Sequence, residues 1–366
     1  MSGRPERFGE LPVAVMIEEM TTPGEGQIKA FITSAGNPVL STPNGRALDK
    51  AFEELEFMVS IDIYINETTR HADIILPPTT GLETSHYDTA FHALAIRNTA
   101  KFSEPLFEKT ENQRHDYEIF IELTRRMTNG EYIPPLDSPE KMVAYSLSKG
   151  TSGVSLKDLK TNPSGIDLGP LKSVLPNRLF TEDKKIELAP ESMMADLPRL
   201  EHMLSWNDSK SSHDLREDAN SWDDLESSHE RPFQLISRRH LRSNNSWMHN
   251  SLRLVKGRDR CTLLIHPNDA ASAKIEDGQL VKVSSKTGSI EITAEVSEEM
   301  AQGVVCIPHG WGHDREGVQM NTAQAHTGAS VNDLTSERFV DEVTGNIGFS
   351  GIEAVSYTHL TLPTKA

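Results

Sequence analysis

The Gly36-Asn37-Pro38 turn is the first group of residues whose types could serve a function. It follows residues 27–33, a short apolar run that predicts a buried strand ending at a loop. Ligands of open α/β sheets sit beyond the carboxyl ends of strands, and a glycine there lets the backbone approach them closely. An asparagine side chain can bond phosphate, ribose or base. The alternative is an ordinary strand-to-helix turn.

A carboxylate, Asp62, directly follows the next predicted strand, Phe57–Ile61. There it could accept two hydrogen bonds from the N1–H and N2–H₂ edge of guanine, which offers two neighbouring donors to one carboxylate. A solvated loop aspartate is the alternative. The sequence has no GxGxxG motif after a strand and no GxxxxGKS/T motif. A conventional NAD fingerprint and a nucleotide P-loop are therefore unsupported.

Basic and amide side chains follow a third predicted strand. Arg238-Arg239-His240 is succeeded by Arg242 and by Ser243-Asn244-Asn245-Ser246. Guanidinium groups next to amides and hydroxyls suit a pyrophosphate and a polar heterocycle. The alternative is a basic surface loop that balances an acidic chain.

The run His309-Gly310-Trp311-Gly312-His313 holds two histidines four residues apart. Such a pair can ligate a metal on a helix, but the two glycines disfavour a helix and no third ligand lies nearby in sequence. We therefore expect no protein-ligated metal here. The run predicts a glycine-rich turn that places His309 and Trp311 against a large ligand.

These residues need elements to position them, and the first part of the chain alternates strands and helices. Short apolar runs predict strands at 27–33, Phe57–Ile61 and 72–76, and helical spacing predicts helices over 46–56 and 117–127. This order is typical of a parallel α/β sheet.

The sequence pattern of the second part of the chain is typical of an all-β domain. Several strands of five to eight residues, punctuated by Asp-Gly and Thr-Gly turns, predict a small closed barrel. One short helix over 268–274 is expected between them, with Asn268 as its N-cap. The predicted domains are a partial α/β domain, a connecting segment with a polar mobile linker at 206–231, a β-barrel and a tail: 1–145, 146–231, 232–355 and 356–366.

Composition limits the classes of function. The chain has 366 residues, a formal net charge of −17 and 36% hydrophobic residues, which disfavours a nucleic-acid partner and predicts a soluble protein. No run of about 18 apolar residues and no signal peptide is present, so we expect no membrane insertion. Two cysteines allow neither a disulfide framework nor a four-cysteine metal site within this chain, and both are expected to be buried.

Two stretches of the chain resemble the molybdopterin oxidoreductase family, which includes formate dehydrogenases, nitrate reductases and dimethyl sulfoxide reductases. The first stretch reads GQIKAFITSAGNPVLSTP and then EFMVSIDIYINETTRHADIILPP. The second reads HPNDAASAKIEDGQLVKVSSKTGSIEITAEV, then GVVCIPHGWG and VNDLT. The resemblance implies an α/β plus β fold class: part of a parallel-sheet dinucleotide-binding domain followed by a six-stranded double-psi β-barrel.

The resemblance also implies a cofactor, bis-molybdopterin guanine dinucleotide with molybdenum or tungsten. Its guanine dinucleotide half would contact the first group of residues, and its pterin side would contact a second group on the barrel. The first group is Gly36, Asn37, Pro38, Asp62 and Thr68; the second is Arg239, Asn245, His309 and Asn332. The implied activity is two-electron redox chemistry on a small-molecule substrate, with an electron-transfer subunit or carrier as a possible partner. No residue of this chain is assigned as catalytic.

Two departures from the family pattern matter. The iron–sulfur segment, expected to hold a 4Fe-4S cluster, and the metal ligand of the family's N-terminal region are absent. This chain is therefore expected to be the C-terminal part of a large catalytic subunit and to be inactive alone. Residues 356–366 resemble translated adapter or vector sequence, and a natural divergent tail is the alternative.

Other classes of function remain as alternatives. One is a non-catalytic or split subunit that retains the fold as a binding module. The other is a nucleotide-dependent dehydrogenase, which the missing glycine fingerprint disfavours. The expected location is the cytoplasm, with the periplasm as the alternative because the start of the chain looks internal.

Overall fold

The computed structural model describes residues 3, 6, 9–132, 134–201, 233–341 and 343–358. The chain forms two compact units. The first unit combines Met1–Ser60, Tyr64–Ile75 and Ala189–Ala366, and the second combines Ile61–Ile63 with Leu76–Leu188. The predicted linker at 206–231 lies outside the described residues.

A three-stranded sheet with flanking helices opens the first unit. Its strands lie in the order β1-β2-β3, and β2 runs parallel to β3 with Val59 opposite Ile74. The elements are β1 Ala30–Ser34, β2 Phe57–Ile61, β3 Ile74–Ile75, α1 Met16–Thr21, α2 Pro38–Ser41 and α3 Gly45–Glu53. The predicted parallel sheet is thus confirmed, although the third strand is shorter than expected.

Helix α3 packs on this sheet through the apolar face that its spacing predicts. Leu48 and Phe52 are buried against Met58 of β2 in one core cluster. The helix begins where the Asn44 side chain accepts a hydrogen bond from the Ala47 amide, 3.3 Å away. This packing fixes the turn that follows β1 relative to β2.

The second unit contains two small sheets and three helices. Strand β4 pairs with β6, and β5 pairs with β7, both antiparallel. The elements are β4 His86–Tyr87, β5 Arg97–Ala100, β6 Phe102–Ser103, β7 Ile166–Pro170, α4 Asp116–Met127, α5 Pro139–Lys149 and α6 Leu156–Thr161. Of these, helical spacing predicted only α4 explicitly.

A closed six-stranded barrel completes the first unit, as predicted. The strand order is β10-β11-β9-β12-β8-β13, and the β11/β9 and β12/β8 pairs are parallel. The strands are β8 Phe233–Arg238, β9 Thr262–Ile265, β10 Leu280–Ser284, β11 Ser289–Val296, β12 Val304–Pro308 and β13 Ile352–Thr358. Among the described residues of 189–358, four short helices are present: α7 Glu191–Met194, α8 Leu252–Val255, α9 Pro267–Ser272 and α10 Asn321–Gln324.

The barrel core follows the alternation of the strands. Val281 and Val283 of β10 face inward with Ile290 and Ile292 of β11. Closure leaves no open sheet edge, so the loops at the barrel ends are held on a rigid frame. Both cysteines are buried as expected, and burial raises the pKa of Cys261 to about 12.

The short barrel helix begins one residue earlier than predicted. Its N-cap is His266, whose ring Nδ1 accepts a hydrogen bond from the Asn268 amide at 3.0 Å. Asn268 as N-cap was therefore wrong. Pro267 is favoured at the first helical position because it lacks the amide hydrogen that would be left unpaired there.

Strand β13 continues three residues beyond the predicted end of the barrel at residue 355. Ser356 lies opposite Val283 of β10, is 2% exposed, and its Oγ has no hydrogen-bond partner among the described residues. A hydroxyl thus occupies a core position of the barrel. The remainder of the predicted tail, 359–366, lies outside the described residues.

We expect Ser356→Ala to stabilise the chain by about 1 kcal/mol, because it removes a buried hydroxyl that makes no hydrogen bond. Ser285→Ala is the matched contrast, since the Ser285 hydroxyl is also buried but donates to the Leu334 carbonyl at 2.8 Å. That variant should be destabilised. Urea unfolding of both variants checks the opposite signs, and equal signs would contradict the assignment of Ser356 as unpaired.

Within the described ranges, no helix is both long and apolar enough to cross a membrane.

Candidate functional site

The turn after β1 holds Asn37 in a buried hydrogen-bond network. Its amide nitrogen donates to Glu67 Oε2 at 2.7 Å and to Ser246 Oγ at 3.2 Å, and its oxygen accepts from Thr68 Oγ1 at 2.8 Å. Thr68 Oγ1 also accepts from the Val39 amide at the start of α2. The structure therefore brings together Asn37 and Thr68, which the sequence analysis placed in one group.

Gly36 lies in the turn between β1 and α2 and is half-buried. A Cβ built there would make ordinary van der Waals contacts, with Pro38 Cδ and the Ser34 carbonyl oxygen at 3.8 Å each. Pro38 begins α2 at its first position, where its ring suits the helical backbone. The close approach of a ligand to Gly36 stays a prediction.

Asp62 directly follows β2, as predicted, and is 9% exposed. The remainder of that loop is shaped by Asn66, whose side-chain oxygen accepts from the amides of Thr68 and Thr69, both at 2.9 Å. Glu67, which lies between Asn66 and Thr68 in this turn, points into the interior and is fully buried. The guanine-reading role of Asp62 stays a prediction.

Four predicted residues of the barrel side form one connected chain. Asn245 Oδ1 accepts from Arg239 and lies 3.2 Å from His309 Nε2. Asn332 lies 3.5 Å from His309 Nδ1 and donates to the Leu40 carbonyl of α2 at 2.8 Å. The barrel loops thus gather residues that are up to 93 positions apart (239 to 332) and join them to the turn after β1.

His309 is neutral in this chain. Burial lowers its pKa to about 4, and the charge of Arg239 acts in the same direction. The neutral ring can donate from Nε2 to Asn245 and accept at Nδ1 from the Asn332 amide. It therefore acts as a fixed polar contact rather than as a cation.

The arginines of the β8 loop divide between two roles. Arg238 points inward and donates to the carbonyl oxygens of Cys306 and Thr262, at 2.6 and 2.9 Å. Arg239 and Arg242 are exposed. Burial lowers the pKa of His240, and the charges of Arg260, Arg238 and Arg242 add to this effect. The loop therefore carries a positive field suited to an anion.

The His309–His313 run is a turn, as predicted, and not a helix. Gly310 and Gly312 have φ angles of 97° and 117°, a region that side chains rarely adopt. Trp311, expected to face a ligand, instead stacks on His249 with ring centroids 3.9 Å apart and is 4% exposed. Its Nε1 has no hydrogen-bond partner among the described residues.

His313 is held within the protein. Its Nδ1 lies 2.8 Å from Glu67 Oε1, and its Nε2 lies 2.8 Å from His249 Nδ1. Both ring nitrogens are therefore engaged by protein atoms. In the part of the chain that the structure describes, no group of three or more His, Cys, Asp or Glu residues is arranged to hold a metal ion.

Sequence reasoning missed Glu67 and His249 as members of this site, and it grouped Ser246 with the basic loop without linking it to Asn37. Glu67 stands next to Thr68 in the Glu-Thr pair that carries the resemblance, which was the available signal for it. His249 and Ser246 lie in a polar loop where no spacing rule links them to residues more than 60 positions away. Only the closure of the barrel against the sheet brings them to Asn37 and His313.

Two family models match the chain. One, described as molybdopterin oxidoreductase, matches residues 3–126. The other, described as molydopterin dinucleotide binding domain, matches residues 233–353. The second range contains the barrel and its predicted site residues.

Curated relatives are identical to the chain at about a quarter of the aligned positions. The assimilatory nitrate reductase catalytic subunit of Bacillus subtilis is 26% identical over 80% of this chain and 39% of its own length. Trimethylamine-N-oxide reductase of Haemophilus influenzae is 26% identical over 81% and 37%. The F420-dependent formate dehydrogenase subunit alpha of Methanocaldococcus jannaschii is 25% identical over 84% and 42%. The chain thus spans about two fifths of the length of these relatives.

Among solved structures, acetylene hydratase from Pelobacter acetylenicus superimposes with a TM-score of 0.69. The match has 20% sequence identity and covers 94% of this chain and 46% of that protein. It supports the sheet-plus-barrel fold described above.

Proposed function

The chain belongs to the molybdopterin oxidoreductase family, and from this premise we propose that it binds the dinucleotide of a bis-molybdopterin guanine dinucleotide cofactor. The parent protein would carry out two-electron redox chemistry on a small-molecule substrate, with molybdenum or tungsten as the metal. An electron-transfer subunit or carrier and a 4Fe-4S cluster would belong to that larger assembly.

The observation that carries this proposal is the connected chain Arg239–Asn245–His309–Asn332 on the barrel loops. Arg239 stands at the exposed end of this hydrogen-bonded series, so its guanidinium is accessible to a ligand from solvent. Guanidinium, amide and neutral imidazole groups side by side suit a polar heterocycle joined to a diphosphate.

The residues fit an anionic dinucleotide. Arg239 and Arg242 offer exposed guanidinium groups, and Gly36 presents no side chain at the turn after β1. When bound, the pterin dithiolenes of the cofactor would hold the metal that undergoes the redox change. The residues of this chain would bind and orient the cofactor, and none of them is proposed as catalytic.

We further propose that Asp62 reads the guanine base. Its carboxylate would accept from N1–H and N2–H₂, whereas adenine lacks this pair of donors. We therefore expect the chain to bind GDP roughly tenfold or more tightly than ADP, since a mismatched polar edge costs about 1–3 kcal/mol. Titration calorimetry with the two nucleotides measures the ratio.

Asp62→Asn should remove this preference, because it places a donor opposite a donor while keeping the shape. Asp116→Asn, at an exposed carboxylate of the same unit, is the control and should keep it. Absence of GDP binding by the wild-type chain would overturn the proposed function. Equal GDP preference in the Asp62→Asn and wild-type chains would overturn only the role of Asp62.

A further inference from the structure

A buried line of polar side chains connects the two groups of predicted cofactor residues. Glu67, His313, His249 and Ser243 follow one another through three contacts of 2.8 Å each, and none is more than 2% exposed. At one end Glu67 holds the Asn37 amide, and at the other Ser243 begins the turn that carries Asn245. We call these four residues the relay.

We propose that the relay is a positioning device whose hydrogen bonds all run in one direction, toward the Glu67 carboxylate. In this inference, which rests on the proposed function, Ser243 O–H donates to His249 Nε2, His249 Nδ1–H donates to His313 Nε2, and His313 Nδ1–H donates to Glu67 Oε1. Both imidazoles then carry their hydrogen on Nδ1 and accept at Nε2.

The contacts of Glu67 support this direction. Asn37 Nδ2 can only donate, so Glu67 Oε2 accepts from it, and in the proposed direction Oε1 accepts from His313. Each buried carboxylate oxygen then receives a hydrogen bond, which offsets the cost of its removal from water.

The surroundings of His249 support a neutral ring. Burial, the largest cause, lowers its pKa to about 3 and outweighs the hydrogen bond to the Gly310 backbone, which acts in the opposite direction. Trp311 covers one of its faces. A neutral His249 has one donor and one acceptor, so it transmits a single hydrogen-bond direction along the relay.

The relay gives Asn37 a role beyond direct contact. Both of its amide hydrogens are used by Glu67 and Ser246, so its side chain cannot donate to a ligand without breaking the network. Asn37 and Glu67 therefore act as positioning residues. They fix the turn at Gly36 at one end of the relay, while Ser243 lies at the other end, in the turn that carries Asn245.

Glu67→Gln tests the direction of the relay. The glutamine oxygen must still face Asn37, so its amide would donate to His313 Nδ1 and force both imidazoles into the Nε2–H tautomer. Long-range ¹H–¹⁵N spectra of the full chain with ¹⁵N-labelled histidine report the tautomers, with His249→Gln and His313→Gln used for assignment. We expect Nδ1–H tautomers in the wild type and Nε2–H tautomers in Glu67→Gln.

Glu56→Gln, at an exposed carboxylate paired with Lys29, is the control and should leave both signals unchanged. An Nε2–H His249 in the wild type would overturn the proposed direction, even if Glu67→Gln failed to fold. Unchanged tautomers in a folded Glu67→Gln chain would also overturn it.

Nucleotide binding tests the positioning role. We expect Glu67→Ala to weaken GDP binding about tenfold, because Asn37 loses its acceptor, whereas Glu67→Gln should stay within about twofold of the wild type. An equal loss in both variants would show that charge, and not orientation, matters, and would overturn the role. If the wild-type chain bound no GDP, the proposed function and the cofactor role would fall, while the tautomers would still decide the direction of the relay.

Discussion

Gly310→Ala is expected to destabilise the chain by about 2–5 kcal/mol. Gly310 has a φ of 97°, and a Cβ there would lie 2.0 Å from the carbonyl oxygen of Asn245 and 2.4 Å from its carbonyl carbon. A left-handed backbone costs a non-glycine residue about 1–2 kcal/mol, and forcing a backbone apart costs about 1–3 kcal/mol more. Because Asn245 belongs to the barrel-side chain of site residues, the shift would also displace its contacts with Arg239 and His309.

The matched control separates these two causes. Gly278 lies in the same barrel with a φ of 79°, but no atom lies within 4 Å of a Cβ built on it. Gly278→Ala should therefore lose only about 1–2 kcal/mol. Urea unfolding measures both, and the amount of folded protein recovered gives a second readout. Equal losses in the two variants would mean that the close approach to Asn245 is absent.

The free energy of unfolding is expected to fall steeply as the pH drops from about 6.5 to about 4. The folded chain lowers the pKa of His249 to about 3 and of His309 to about 4, in each case mainly through burial, while the unfolded value is about 6.5. Within this window the unfolded chain binds protons that the folded chain does not. Stability contributed by the neutral rings is thus complete above the unfolded pKa and is lost as the pH falls.

Each histidine contributes a slope of at most about 1.4 kcal/mol per pH unit, so the two together approach about 2.7 kcal/mol per pH unit. The pKa of Asp49 is also lowered, but it affects stability in a different pH range. Burial raises this pKa, and the hydrogen bond from His71 together with the charges of Arg315 and Arg70 lowers it by more. Its contribution is lost below about pH 4, where an unfolded aspartate titrates.

Urea unfolding between pH 4.5 and 7.5 measures the slope. His309→Gln should reduce it, because one of the two buried rings is removed. His326→Gln, at an exposed histidine, is the control and should leave the slope unchanged. A slope that did not respond to His309→Gln would show that His309 is protonated in the folded chain, contrary to its burial.

The elements of the fold were largely predictable because local patterns determine them. Three strands have the predicted bounds: Phe57–Ile61, Ser289–Val296 and Val304–Pro308. Their signals are local, because each consists of an apolar run and the turn residues next to it. The small sheets of the second unit were missed, because β4 and β6 have two residues each and carry no periodicity. The start of the helix at Pro267 was predicted one residue too late, because asparagine is a common N-cap residue and Asn268 was chosen over His266.

The residues of the candidate site were likewise predictable where local sequence determines them, and their contacts were not. By itself the sequence determined which turns would follow the strands of the sheet and which residue types they would present, including Gly36, Asn37, Thr68 and His309. It also determined the family, through motifs long enough to be specific. It could not predict which partners these side chains would bond to, because the bonds join segments that are distant in sequence. Glu67 and His313, for example, are 246 positions apart.

Tertiary structure decided the roles of the buried polar residues. Glu67, His249 and His313 became one relay only because the closed barrel packs against the sheet and excludes water from the space between them. In that space an unpaired polar group would be costly, so each donor must find an acceptor across the fold. Hydrophobic periodicity is a local property of each element, so it can be recognised in the sequence. The pairing of buried donors and acceptors depends on contacts between elements that are distant in the chain.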